Sequence, residues 1–174
     1  MEFFYKVEMP NQWRPGIGGV VDLNCGWYCQ AALLSWFCVK FNIPKEYFKE
    51  LVKYNRLSYG FDPEKSFCQK ITIPKDIFGY KETLLKYGPV IASGKLGVAD
   101  FGILGGVEHY ILIVGVQTKS NNVIIYDPLS INPNKIRSAK PCIYSFNRFI
   151  ARVNDTLVLN RYSFNRILEV SDIS

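Results

Sequence analysis

Two apolar runs in the second half of the chain constrain the fold more than any other feature. The first is His109-Tyr110-Ile111-Leu112-Ile113-Val114-Gly115-Val116, and the second is Val123-Ile124-Ile125-Tyr126. Both are rich in β-branched residues, and the longer one is apolar at nearly every position. That texture belongs to a strand buried on both faces. Asn121-Asn122 between them is turn chemistry, so the two runs are expected to pair as a hairpin.

The rest of the chain arranges itself around that hairpin. Pro89-Val90-Ile91-Ala92-Ser93-Gly94 reads as another strand, and residues 95–106 as a Gly-rich loop. Upstream the pattern is helical. Asn24 is a fair N-cap, and Trp27, Ala31, Leu34, Cys38 and Phe41 recur at three- and four-residue steps until Asn42 and Pro44 stop the helix. A short amphipathic helix is expected at 45–54. Pro74 is expected to open a third helix that runs through Leu85 and ends at Gly88-Pro89. Residues 1–24, with Pro10, Pro15, Gly16, Gly18 and Gly19, read as an extended arm and loop, and 55–73 stay ambiguous. Residues 144–153 look helical, and 156–162 look like a further strand. Helices first and an antiparallel sheet second define an α+β fold, expected as one domain over 1–174 with no linker or repeat.

Composition narrows the function classes. With 48% hydrophobic and 15% aromatic residues in 174, the chain can build a real core. No stretch approaches the roughly 20 apolar residues of a membrane helix, and no secretory signal is visible at the start. The net charge is +6, but the basic residues are scattered; Lys45, Lys49 and Lys53 alternate with Glu46 and Glu50. No basic cluster or aromatic RNA-binding motif appears, so neither nucleic acid nor a membrane is an expected partner. The five cysteines, Cys25, Cys29, Cys38, Cys68 and Cys142, are an odd number that argues against a disulfide framework. Cys25 and Cys29 could supply half of a zinc site, but the single histidine and the lack of a second cysteine pair leave it incomplete. No metal and no cofactor are expected.

The sole histidine, His109, stands at the mouth of the most apolar strand. Asp127, in Tyr126-Asp127-Pro128, ends the partner strand, and a hairpin brings these two positions together. Far upstream, Cys25 opens a helix, where the macrodipole favours a thiolate. Thiolate, imidazole and orienting carboxylate are the parts of nucleophilic acyl transfer. Cys29 is the alternative nucleophile. With Cys25 the residue one turn below is the small Cys29; with Cys29 it is the bulkier Leu33.

Asn24-Cys25-Gly26-Trp27-Tyr28-Cys29-Gln30-Ala31-Ala32, the Gly88–Gly94 segment, the His109–Val116 run and Val123–Pro128 together resemble papain-like cysteine peptidases of bacteria. The likeness is to bacteriocin-processing peptidases, which cut after double glycine, and to papain-like effector proteases. It spans about residues 20–130. It implies a papain-like fold, with N-terminal helices packed on an antiparallel sheet, and a cysteine endopeptidase that cuts a protein substrate, after Gly-Gly as the best single guess. The family's oxyanion glutamine lies about six residues before the nucleophile. Here Gly19 stands in that place relative to Cys25, and Leu23 relative to Cys29. Gln12 could reach in if 13–23 forms a loop; a plain surface role for it is as good a reading. Gly105-Gly106, just before His109, is hinge geometry or a self-cleavage point. The absence of a pro-segment suits a bacterial effector or toxin domain acting in the cytoplasm of a target cell after delivery, whose producer would need an inhibitor or immunity protein. The rival readings are a deamidase, an acyltransferase or a peptidoglycan amidase with the same three residues, or a non-catalytic binding module.

Overall fold

The computed structural model describes residues 2–7, 25–42, 68–96, 108–128 and 141–160. In chain order the elements are β1 (Glu2–Phe4), α1 (Cys25–Lys40), β2 (Cys68–Ile71), α2 (Ile77–Tyr87), β3 (Val90–Gly94), β4 (His109–Gln117), β5 (Asn122–Tyr126), β6 (Pro141–Ser145), α3 (Phe146–Ile150) and β7 (Val153–Leu159). The strands form one seven-stranded sheet in the order β2-β7-β3-β4-β5-β6, with β1 paired to β4. All the pairings are antiparallel.

The apolar run over β4 is explained by what covers each face. Leu112 and Val114 point to one side, where they join Ile91 and Leu157 against Cys29, Leu33 and Phe37 of α1. Ile111 and Ile113 point to the other, where Tyr80 and Leu84 of α2 and Phe146 and Phe149 of α3 meet them. Alternation puts successive residues on opposite faces, so a strand with helices on both sides must be apolar throughout. Each such Leu, Ile or Phe contributes about 1.5–3 kcal/mol by leaving water.

The α+β class is observed, but the helices among the described residues do not form an N-terminal block. Among the described residues, α1 alone precedes most of the sheet, β2 precedes α2, and α3 is inserted between β6 and β7. Helix α1 is buried nearly all round from Cys29 to Leu34, as expected of a helix that is apolar on every side. It ends at Lys40; Asn42 takes the left-handed conformation at φ 53°. Phe41 therefore lies beyond the helix, 47% exposed, and stacks on Phe37 instead of extending the buried stripe.

Three elements have bounds that differ from the sequence reading. Helix α2 starts at Ile77 instead of Pro74, because the Asp76 carboxylate accepts a hydrogen bond from the Gly79 N–H at 2.8 Å and caps it. It runs on to Tyr87, where Gly88 at φ 86° ends it and donates its N–H to Leu84. The helix expected over 144–153 is only Phe146–Ile150: Tyr144 and Ser145 are taken by β6, which pairs with Val123 and Asn122 of β5, and Val153 already belongs to β7. Strand β7 ends at Leu159, short of the expected 162, and its start lies three residues earlier than expected. Within the ambiguous 55–73 segment, Cys68–Ile71 is a strand on β7. Within the expected N-terminal arm, Glu2–Phe4 pairs with β4. The helix expected at 45–54 and most of the Gly-rich loop lie outside the described residues. No helix among the described residues is long and apolar enough to cross a membrane.

Candidate active site

His109 opens β4, and Asp127 follows the last residue of β5. Leu112 is in register with Tyr126, so the residue after Tyr126 falls opposite Ile111, two residues from His109. The hairpin thereby sets the imidazole and the carboxylate at one rim of the sheet. His109 Nε2 and Asp127 Oδ1 are 2.8 Å apart, and the two residues are 5% and 0% exposed. In so dry a place the carboxylate fixes both the ring's orientation and its tautomer.

Helix α1 carries the third group. Cys25 is its first residue, half-buried, and its side chain is hydrogen-bonded to His109. Since Asp127 engages Nε2, Nδ1 is the ring nitrogen left to the sulfur. The backbone N–H groups of Gly26 and Tyr110 also point at the sulfur. Burial by itself would push the Cys25 thiol up. The hydrogen bond and positive charge of His109, with those two N–H groups, outweigh it and hold the thiol below its ordinary value. Burial likewise opposes a charged His109, but Asp127 and Cys25 prevail through hydrogen bonds and charge and push its pKa up to about 9. Each group favours the charged form of the other, beside a buried carboxylate.

Cys29 sits one turn further along α1 in the opposite environment. It is 0% exposed, and burial, with the neighbouring Cys25, Asp127 and Cys68, holds its thiol well above the ordinary value. A thiol sealed in the core cannot reach a protein substrate. Of the two candidate nucleophiles, only Cys25 is joined to His109 and reachable from solvent.

Tyr110 carries no signal in the sequence beyond its place in the strand, yet it borders the site twice. Its N–H reaches the sulfur of Cys25, and its ring lies against the α-carbon of Gly26: a β-carbon there would stand 3.3 Å from Tyr110 Cδ2. Gly26 is thus the residue that lets β4 approach the first turn of α1. Gln30 also goes unnoticed in the sequence. It is 1% exposed, and neither its Oε1 nor its Nε2 has a hydrogen-bond partner among the described residues. Gln12, Gly105 and Gly106, and the side chain of Trp27, lie outside the described residues. Among the described residues, no group of three or more His, Cys, Asp or Glu side chains is arranged to hold a metal ion.

No protein-family model matches the chain, and no curated protein does.

Proposed function

We propose that this chain is a papain-like cysteine protease that cuts a protein substrate with Cys25 as nucleophile, His109 as general acid and base, and Asp127 as the residue that positions His109. The observation that carries this reading is the connected set Cys25–His109–Asp127, with Nε2 on the carboxylate and the thiol at a helix start.

The chemistry follows from those contacts. The Cys25 thiolate adds to the scissile carbonyl carbon, and the charge moves to the carbonyl oxygen. The N–H of Cys25 belongs to the first turn of α1, where backbone donors have no intrahelical acceptor, and can receive that oxyanion. His109 gives its proton to the leaving amine as the C–N bond breaks and a thioester forms. The neutral imidazole then takes a proton from water, whose oxygen attacks the thioester; the acid leaves and the thiolate–imidazolium pair returns. Asp127 keeps the ring aligned through both halves of the cycle.

The close contact of Tyr110 with Gly26 beside the nucleophile supports a narrow cleft and cleavage after small residues, Gly-Gly above all. Terminal-peptide mapping of a susceptible lysate tests the whole reading. Incubation with the protein creates new termini, and the His109→Ala and Cys25→Ala variants create none. A one-dalton gain at glutamine, an amine cross-link or altered muropeptides, without new protein termini, would move the same three residues to a deamidase, an acyltransferase or an amidase. Profiling the position before the cut tests the preference: glycine depleted in favour of large or acidic residues overturns the double-glycine choice alone.

A further inference from the structure

The protease mechanism leaves two fully buried thiols unused. Cys29 lies one helical turn from Cys25, and Cys68 of β2 lies in the same apolar cluster as Cys29. Both are 0% exposed. A buried thiol beneath a reactive one has a chemical consequence that the hydrolytic cycle does not require.

We propose that Cys29 is the resolving thiol of a reversible redox switch, capturing an oxidised Cys25 as a Cys25–Cys29 disulfide that shuts the active site. The proposal rests on Cys25 being the reactive thiol of the protease reading.

The bond needs a local shift in the first turn of α1. Residues four apart on a helix lie on one face with β-carbons about 5–6 Å apart, while a disulfide requires about 3.5–4.5 Å. The remaining approach falls to Cys25, which occupies the first turn of α1, where the N–H groups are not tied down by intrahelical bonds. Cys29 need not move. The chemistry also balances. Hydrogen peroxide is the oxidant: the Cys25 thiolate attacks one peroxide oxygen, the O–O bond breaks, hydroxide leaves and Cys25 becomes a sulfenic acid. The Cys29 sulfur then attacks the Cys25 sulfur, the S–O bond breaks, and the departing hydroxide takes the Cys29 proton to form water. A dithiol reductant attacks that disulfide, restores both thiols and is itself oxidised to a disulfide. The site's own asymmetry assigns the roles. Cys25 is half-exposed and bonded to His109, so peroxide meets it first. Cys29 is sealed from solvent and is preserved for the second step.

The physical gain is protection. A sulfenic acid with no neighbouring thiol proceeds to the irreversible sulfinic and sulfonic acids. With a thiol one turn away it is trapped in a form that reductant restores. In the disulfide the Cys25 sulfur is bonded towards the core, no longer a thiolate paired with His109, and cleavage stops.

The test is intact mass and fragment mapping of the folded protein after a few equivalents of hydrogen peroxide, with activity followed in parallel. The wild-type protein is expected to lose two hydrogens, to yield no backbone fragments between residues 25 and 29 until reduced, and to recover nearly all of its activity with dithiothreitol. Cys29→Ala is expected to gain two or three oxygens on Cys25 and to recover at least tenfold less activity. Cys68→Ala should behave as wild type. Oxygen addition to wild-type Cys25 without a 25–29 link overturns the switch, as does a link to Cys68 in its place. If Cys29→Ala does not fold, the wild-type map decides alone. Mass mapping needs no substrate: a missing link with proteolysis intact overturns the switch, whereas a link in a protein without proteolysis overturns the protease reading.

Discussion

Among the described residues, two buried hydrogen-bonded pairs of side chains lie against this sheet, and they differ in what lies beside them. At the rim, His109 and Asp127 meet at 2.8 Å; inside the face covered by α2 and α3, Tyr80 and Thr156 meet at 3.0 Å between their hydroxyl oxygens. The rim pair closes a single hairpin, whereas the inner pair joins residues 76 apart in the chain. The inner pair is neutral and ringed by Phe146 and Phe149, with ring centroids 5.9 and 5.3 Å from Tyr80. Burial pushes the Tyr80 hydroxyl up to about 12, with its bond to Thr156 as a smaller opposing effect, so it stays protonated and inert. The rim pair touches a half-exposed thiol, and that contact turns a structural hydrogen bond into a chain able to move a proton. Burial and a good partner are therefore no sign of chemistry by themselves; a reachable nucleophile at the end of the chain is.

The contrast can be broken most sharply at the thiols. Cys25→Ala should lower cleavage by about 10⁴-fold or more with little change in thermal midpoint, while Cys29→Ala keeps substantial activity and loses on the order of 1 kcal/mol of stability from the small cavity it leaves. An inactive, folded Cys29→Ala beside an active Cys25→Ala would reverse the assignment. Next comes the carboxylate. Asp127→Asn keeps the shape of the pair but removes the charge that favours the imidazolium, and should reduce kcat by about 10²–10⁴-fold while leaving the fold intact, as measured by kinetics and circular dichroism. Unchanged kcat in that variant would make the rim pair no more chemical than the inner one.

The inner pair should respond in the opposite way. Tyr80→Phe leaves the Thr156 hydroxyl short of a partner in an apolar setting, and is expected to cost about 1–3 kcal/mol in denaturant titration with cleavage unaffected. The smallest effect is expected at Gln30, whose buried amide has no partner among the described residues. Gln30→Met replaces it with an apolar side chain of similar length and should raise stability by about 0.5–1 kcal/mol. A loss of 2 kcal/mol or more would mean that the amide has a structural task.

Much of this arrangement was legible before any coordinates because its signals are local. The unbroken apolar texture of β4, the turn at Asn121-Asn122 and the 18-residue spacing of His109 and Asp127 lie in one hairpin, and a hairpin converts spacing into proximity. Less local facts stayed out of reach. The pairings of β7 with β2 and β3 join segments far apart in sequence, and they override the helical look of residues around Val153. The choice between Cys25 and Cys29 depends on how deeply each turn of α1 is sunk in the core, which periodicity cannot say when every side of the helix is apolar. The N–H of Tyr110 could not be found at all, since every residue but proline carries one. The start of α2 is obscured in the sequence for a different reason: Pro74 carries a helix-start signal of its own, two residues before the Asp76 cap.

The central claim is that Cys25 and His109 rest as a thiolate–imidazolium pair. The thiol lies below its ordinary value, so the reactive pair forms as pH rises through the lowered thiol pKa. The imidazole lies at about 9, so the pair is lost as pH rises through that value. The most direct measurement is the rate of iodoacetamide alkylation at Cys25 against pH, read by peptide mass, in the wild-type protein and in His109→Gln. Wild-type Cys25 is expected to be alkylated at a pH below that at which an ordinary thiol ionises, with a second change in rate near pH 9, and His109→Gln is expected to move the first transition to higher pH and abolish the second. A Cys25 that titrates as an ordinary thiol, at the same pH with and without His109, would contradict it.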